Sequence, residues 1–138
     1  KKNYFPITDK DMTRFWISLD EGVKFVLDML SKSNGGEIFI PKMPSIKIVD
    51  LAKALNNKYN LKIIGIRPGE KIHESLCAKE ESSHTYEFNS FFITYPSIAF
   101  YKFKIKYNNG KKVKKDFEYT SSNNTNFLNI KEIKKILY

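Results

Sequence analysis

The chain has 138 residues, 41% of them hydrophobic and 14% aromatic, enough for a modest core and too apolar for a disordered segment. No run of about 18 apolar residues occurs, which excludes a membrane-spanning helix, and the opening KKNYFPITDKDM lacks the apolar centre of a secretory leader. The net charge of +9 is almost all lysine and is spread along the chain, densest from Lys102 to Lys115, so a nucleic-acid role on charge alone is discounted.

Residues 1–17 read as irregular or extended, ending in Phe15-Trp16-Ile17. Ser18-Leu-Asp-Glu21 has capping-box spacing. Behind it Leu19, Val23, Val26, Leu27 and Leu30 recur at helical spacing, which predicts a helix to about Lys32, stopped by Asn34-Gly35-Gly36. Glu37-Ile-Phe-Ile40 reads as a short strand closed by Pro41. Pro44-Ser45 is expected to open a second helix with Ile48, Leu51, Ala52 and Leu55 on its apolar face. Leu61–Ile66 reads as a buried strand. Helix, strand, helix, strand predicts a parallel α/β unit, with Arg67-Pro-Gly-Glu70 at the carboxyl end of its last strand, where open α/β sheets bind ligands. A short helix is expected from Glu70 to Leu76.

The last third differs in pattern. Phe91–Thr94 is an expected strand. Tyr101, Phe103, Ile105 and Tyr107 alternate with lysines as a strand with one wet face, and Asn108-Asn109-Gly110 is hairpin-turn chemistry. A return strand through Val113, Phe117 and Tyr119 and a final helix capped at Asn129-Ile-Lys-Glu132 complete the reading. The expected organisation is a single body over 1–138, with a first part at 1–98 and a hairpin-like tail and helix at 99–138.

Only two of the 24 basic residues are arginine, Arg14 and Arg67. Arginine offers a planar fork of donors that grips a phosphate in a way lysine cannot, and a carboxylate three residues on can accept from both hydroxyls of a ribose. Pro68 and Gly69 make the turn that aims both side chains. The competing reading is a plain surface turn with an Arg67–Glu70 salt bridge. Arg14, beside Phe15-Trp16, suits a second phosphate or a cation stacked on an aromatic anchor. His73 and Glu74 read either as acid–base machinery or as packing and capping groups. Tyr119–Asn124 reads as a polar contact cluster or a capped loop. Tyr107 and Lys111 match a Tyr-x-x-x-Lys pair by letter, but Asn-Asn-Gly between them is a turn and not a helix. No G-x-G-x-x-G occurs. Cys77 has no disulfide partner, and with two histidines there is no metal-ligand spacing; a free thiol in a reducing compartment is expected.

FPITDKDMTRFWISLDEGVKFVLDML, GGEIFIPKMPSIKIVDLAKAL, IIGIRPGEKIHESL and DFEYTSSNN follow one another in the order and spacing of a known family. The chain resembles the C-terminal part of the UDP-N-acetylglucosamine 4,6-dehydratases, extended short-chain dehydrogenase/reductases of polysaccharide biosynthesis. It is closest to the inverting type that opens the pseudaminic acid pathway, with capsule-synthesis dehydratases sharing most phrases. The resemblance covers about residues 4–137 and departs most at Phe100–Lys115.

The resemblance implies an α/β fold, the C-terminal substrate-binding portion of such an enzyme, lacking the N-terminal Rossmann domain. That domain would hold NADP and the catalytic residues, so no catalytic or cofactor residue is assigned to this chain. It also implies that Arg14 and Arg67 contact the diphosphate of a UDP-sugar, that Glu70 takes the ribose hydroxyls, and that Thr13 neighbours the sugar–phosphate. Asn123 and Asn124 carry no assigned contact. The partners implied are the UDP-sugar and the Rossmann half or other subunits, in a cytoplasmic, homo-oligomeric complete enzyme. The alternative is a non-catalytic nucleotide-sugar-binding or assembly module.

Overall fold

The computed structural model describes residues 3–98 and 109–138, and the fold mixes helices and strands. The chain forms two compact units interleaved along the sequence, where the sequence reading drew one boundary at residue 98.

The first unit comprises 1–16, 43–74 and 120–138. In it β1 (Tyr4–Ile7) runs parallel to a strand far along the chain, Asn60–Ile63, in the register Tyr4↔Asn60 to Ile7↔Ile63. A ring contact between Phe5 and Tyr59, 5.2 Å between centroids, backs the pair. β2 (Thr13–Phe15) pairs antiparallel with Ser45–Lys47, Thr13 opposite Lys47 and Phe15 opposite Ser45. The second helix therefore starts at Ile48, not at Pro44. Ser45 is fully buried and its backbone is engaged by the tail, Ser45 N–H donating to the Asn126 carbonyl at 2.8 Å and Leu128 N–H to the Ser45 carbonyl at 2.9 Å. The helices Ile48–Leu55 and Ile130–Leu137 pack around Ile46, Ala54 and Ile133, with Trp16, Leu51 and Leu128 against them. Asn129 closes the expected capping box with Glu132.

Two expectations here are corrected. Leu61–Ile66 is neither wholly strand nor buried: pairing ends at Ile63, and Ile63, Ile64 and Ile66 are about half exposed. The helix expected at Glu70–Leu76 is absent, because the carbonyls of Ile72 and Glu74 accept from the N–H groups of Thr13 and Ser121 instead of from their own segment. His73 and Glu74 thus lie on an irregular strip that ends in a strand at Ser75–Cys77.

The second unit comprises 17–42 and 75–119. Its helix, α1 (Leu19–Leu30), has the capping box expected at Ser18 and Glu21, and the Ser18 hydroxyl and N–H hold the Glu21 carboxyl below the usual range. Gly35 and Gly36, at φ of 98° and 88°, turn the chain into β3 (Ile38–Pro41). Numbered in chain order, Ser45–Lys47 is β4, Asn60–Ile63 is β5 and Ser75–Cys77 is β6. A 3-10 helix at Lys79–His84 then leads into β7 (Thr85–Glu87), β8 (Phe91–Thr94) and β9 (Lys111–Lys112). The sheet order is β3-β8-β7-β9, antiparallel throughout. So β3 and β5 do not share the parallel sheet expected of them: they belong to different units. The strand expected at 101–107 lies outside the described residues. The return strand is not continuous: Lys111–Lys112 pairs with β7, and Lys115-Asp116 is a turn. Met29, Phe91, Ile93 and Tyr95 form the core, with Phe25, Phe39, Tyr86 and Phe88 against it.

Cys77 is fully enclosed, its sulfur 3.6 Å from the Thr85 hydroxyl, and burial pushes its thiol pKa up. The thiolate is the reactive form, so Cys77 is expected to resist a water-soluble thiol reagent at neutral pH in the folded chain and to react fully in denaturant. Rapid labelling of the folded chain would contradict its enclosure.

Candidate functional site

The turn Arg67-Pro-Gly-Glu70 follows β5. Glu70 N–H donates to the Arg67 carbonyl at 3.0 Å, and Gly69 has φ of 79°. Proline second and a left-handed glycine third is the make-up of a type II turn. A β-carbon on Gly69 would touch nothing, so it is the backbone angle alone that demands glycine there.

The turn brings the Glu70 carboxylate back over itself. One oxygen accepts from the Arg67 N–H at 3.2 Å, the other from the Thr8 hydroxyl at 3.0 Å. Thr8 directly follows β1. Because β1 and β5 are parallel, their carboxyl ends lie together, and that is what carries Thr8 to Glu70. A carboxylate has about four lone-pair sites, so a fixed, half-buried Glu70 keeps acceptor capacity for a ligand. The Arg67 side chain is exposed, and its guanidinium makes no hydrogen bond or ion pair among the described residues. The surface salt bridge between Arg67 and Glu70 is therefore not formed: the contact runs through the Arg67 backbone.

Arg14 is held differently. One terminal nitrogen donates to the carbonyls of Thr13, at 2.7 Å, and Ile72, at 3.1 Å. Its Nε lies 3.6 Å from a Glu74 oxygen, whose partner oxygen accepts from the Phe15 N–H at 3.2 Å. Two of the three nitrogens are thus spoken for, and only the second terminal nitrogen is left for an anion, short of the two-nitrogen fork that arginine offers elsewhere.

Thr13 is buried, 4% exposed, and its hydroxyl is 2.8 Å from His73 Nδ1 and 2.7 Å from the Ser121 hydroxyl. Ser121 Oγ lies 3.2 Å from the Thr13 carbonyl as donor and accepts from the Glu74 N–H at 2.9 Å. The arrangement giving each contact its own proton has Ser121 donating to that carbonyl, Thr13 to Ser121, and His73 Nδ1–H to Thr13. Asn124 is structural, its amide donating to the Met43 carbonyl at 2.8 Å and the Ser45 hydroxyl at 3.0 Å. The Asn123 side chain accepts from the Thr120 N–H at 2.9 Å.

The strip from Arg67 to Glu74 therefore carries the Arg67–Glu70 turn at one end and the carbonyl and carboxylate that grip Arg14 at the other. Sequence reasoning missed Thr8, and it read Ser121 only as one member of the Tyr119–Asn124 cluster, without its partners Thr13 and Glu74. Neither pairing has a local signal, since each runs to a partner more than 45 residues away.

The result is a mixed helix–strand chain whose exposed turn sets a guanidinium and an oriented carboxylate at the end of a parallel strand pair. The chain belongs to the polysaccharide biosynthesis protein family, whose model matches residues 1–96. It is 49% identical over 138 residues to the UDP-N-acetylglucosamine 4,6-dehydratase (inverting) of Campylobacter jejuni serotype O:2, a match covering 96% of this chain and 41% of that protein. It is 36% identical over 138 residues to the UDP-glucose 4-epimerase of Rickettsia rickettsii, covering 95% and 40%. The X-ray structure of Pen from Bacillus thuringiensis matches with a TM-score of 0.80 at 27% identity, over 98% of this chain and 41% of that one. The chain thus spans about two fifths of the length of these relatives.

Proposed function

We propose that this chain is the UDP-sugar-binding part of a UDP-N-acetylglucosamine 4,6-dehydratase, of the inverting type, acting in surface-polysaccharide or pseudaminic acid synthesis. The observation that carries the reading is the Glu70 carboxylate, fixed on both oxygens beside the unengaged guanidinium of Arg67. A nucleoside diphosphate presents a vicinal diol and an anion a few ångströms apart, and this turn offers an acceptor and a cation in the same order. Arg14 adds one nitrogen, and Thr13, from within the buried network, holds the backbone that Arg14 grips. The two named relatives differ in reaction but share UDP-hexoses as substrates. Their shared element is the UDP moiety, the part this turn suits.

NADP belongs to the other half of the enzyme in this reading. The N-termini of α1 and the last helix are not free for that cofactor's pyrophosphate: each is filled by its own capping box, which places Glu21 and Glu132 where phosphates would sit. The test is reconstitution. The chain mixed with the N-terminal remainder of the Campylobacter relative is expected to form a 4-keto-6-deoxy sugar nucleotide from UDP-N-acetylglucosamine. Two folded partners that associate and give no product would leave the alternative, a non-catalytic nucleotide-sugar-binding module.

Thr8 provides a finer check. Thr8→Val removes the donor that orients Glu70, and a hydrogen bond to a charged group is worth about 1.5–3 kcal/mol, part of which returns through water. UDP affinity is expected to fall about three- to tenfold by calorimetry, with Thr8→Ser close to wild type. An unchanged affinity in Thr8→Val would mean Glu70 is positioned without it.

A further inference from the structure

Every acceptor that grips Arg14 is itself pinned by a second donor. The Ile72 carbonyl takes Arg14 at 3.1 Å and also the Thr13 N–H at 3.1 Å. The Thr13 carbonyl takes Arg14 at 2.7 Å and also the Ser121 hydroxyl at 3.2 Å. The Glu74 carboxylate lies against Arg14 Nε through one oxygen and takes the Phe15 N–H on the other. A long side chain held in this way has met the cost of ordering before an anion arrives.

Of the three acceptors, the Thr13 carbonyl alone owes its second donor to a side chain from the tail. Ser121 lies 108 residues further along the chain and is fully buried. Its loop delivers it by local chemistry. The Thr120 N–H donates to the Asn123 side chain at 2.9 Å, and the Asn123 N–H donates back to the Thr120 hydroxyl at 3.2 Å. Ser121 N–H then anchors the turn on the Glu74 carbonyl at 2.8 Å. The polar cluster at 119–124 is thus a closed turn that buries one hydroxyl.

A serine hydroxyl has one proton and two lone pairs, and Ser121 Oγ has three neighbours. It accepts from the Glu74 N–H at 2.9 Å, and it lies 2.7 Å from the Thr13 hydroxyl and 3.2 Å from the Thr13 carbonyl. Its proton is free for that carbonyl only when the Thr13 hydroxyl donates to Ser121. Thr13 has then used its own proton, so the remaining contact, 2.8 Å to His73 Nδ1, is filled by a proton on that nitrogen. With Nδ1 bare the direction reverses. Thr13 donates to His73, Ser121 donates to Thr13, and the carbonyl under Arg14 loses its second donor.

We propose that Ser121 and His73 are positioning residues for Arg14: a relay from His73 Nδ1–H through the Thr13 and Ser121 hydroxyls to the Thr13 carbonyl fixes the guanidinium before a ligand binds. The relay rests on the geometry of these four groups. That the anion Arg14 meets is the diphosphate of a UDP-sugar rests on the reading above.

The chain has two arginines, so two Nε–H signals are expected in a nitrogen–proton NMR spectrum, and the exposed Arg67 is the internal reference for Arg14. In the wild type, Arg14 Nε–H is expected to exchange with water about tenfold or more slowly than that of Arg67, and the neutral His73 ring to carry its proton on Nδ1. His73→Leu, at an exposed position, should speed Arg14 exchange about threefold or more. It should also weaken UDP binding about three- to tenfold and leave uridine binding unchanged. His73→Asn, whose amide can donate from close to the Nδ1 position, should restore both. Ser121→Ala should match His73→Leu at Arg14 if the buried site tolerates it, and His73→Leu decides alone if it does not. The proposal is overturned by a neutral His73 protonated on Nε2, by wild-type Arg14 exchange as fast as that of Arg67, or by His73→Leu leaving Arg14 exchange unchanged. Equal losses for UDP and uridine also overturn it and make the network structural alone. A wild type that holds Arg14 as described yet binds no UDP sinks the functional reading and not the relay.

Discussion

Ile133→Ala is expected to lower the stability of the first unit by about 2–5 kcal/mol, the range for truncating a fully buried isoleucine. Ile133 is 0% exposed and lies against Ile46 and Ala54. Its helix has eight residues, fewer than the roughly 12–15 that an isolated helix needs to be even marginal, so its capping box cannot sustain it without docking. Trp16 is the chain's one tryptophan and packs against the same cluster, so its emission in a urea titration reports this unit. Ile136→Ala, at a position 48% exposed, is the control and should cost less than about 1 kcal/mol. Equal effects from the two would mean that the helix is not docked through Ile133. The loss should reach the site, because the same tail carries Ser121, whose hydroxyl links Thr13 to Glu74.

The elements that were legible in the sequence are those whose signals are local. Ser18/Glu21 and Asn129/Glu132 mark two helix starts by chemistry completed within four residues, and Phe91–Thr94 is apolar enough to be read as a strand without knowing its partner. What failed was non-local. Pro44-Ser45 has the letters of a helix start, but Ser45 is claimed by Asn124, Asn126 and Leu128 and stays extended. Glu70–Leu76 has helix-compatible residues, yet Thr13 and Ser121 take its carbonyls. β3 and β5 were read close to their observed positions and given the wrong partners, since pairing is decided by strands elsewhere in the chain. β7 and the 3-10 helix before it were not read at all: Lys79-Glu-Glu-Ser-Ser-His84 shows no apolar period.

The candidate site divides the same way. Arg67, Pro68, Gly69 and Glu70 announce a turn by composition, and the turn formed as type. The direction in which Glu70 points depends on Thr8, which only the β1–β5 register supplies. Arg14 was legible as unusual, an arginine among lysines, but its commitment to two carbonyls and Glu74 was not. Its fork is largely occupied by the protein's own groups, which separates it from Arg67 despite their common chemistry.

That separation gives the second large expected effect. Arg67→Lys should weaken UDP binding tenfold or more, about 1.4 kcal/mol or above, because an ammonium gives a point charge where a guanidinium gives a planar pair of donors. The exposed position means the urea midpoint should not move. Arg14→Lys should do the reverse in part: lysine cannot span the Thr13 and Ile72 carbonyls and Glu74 together, so the midpoint should fall as well as the affinity. Uridine divides the roles further. Without phosphates, the Arg67→Lys penalty should vanish, while Glu70→Gln, which weakens the diol acceptor, should penalise uridine and UDP alike. A penalty for Arg67→Lys that persists with uridine would place Arg67 on the nucleoside and not on the diphosphate, and the reading of the turn as a cation beside a diol acceptor would have to be reversed.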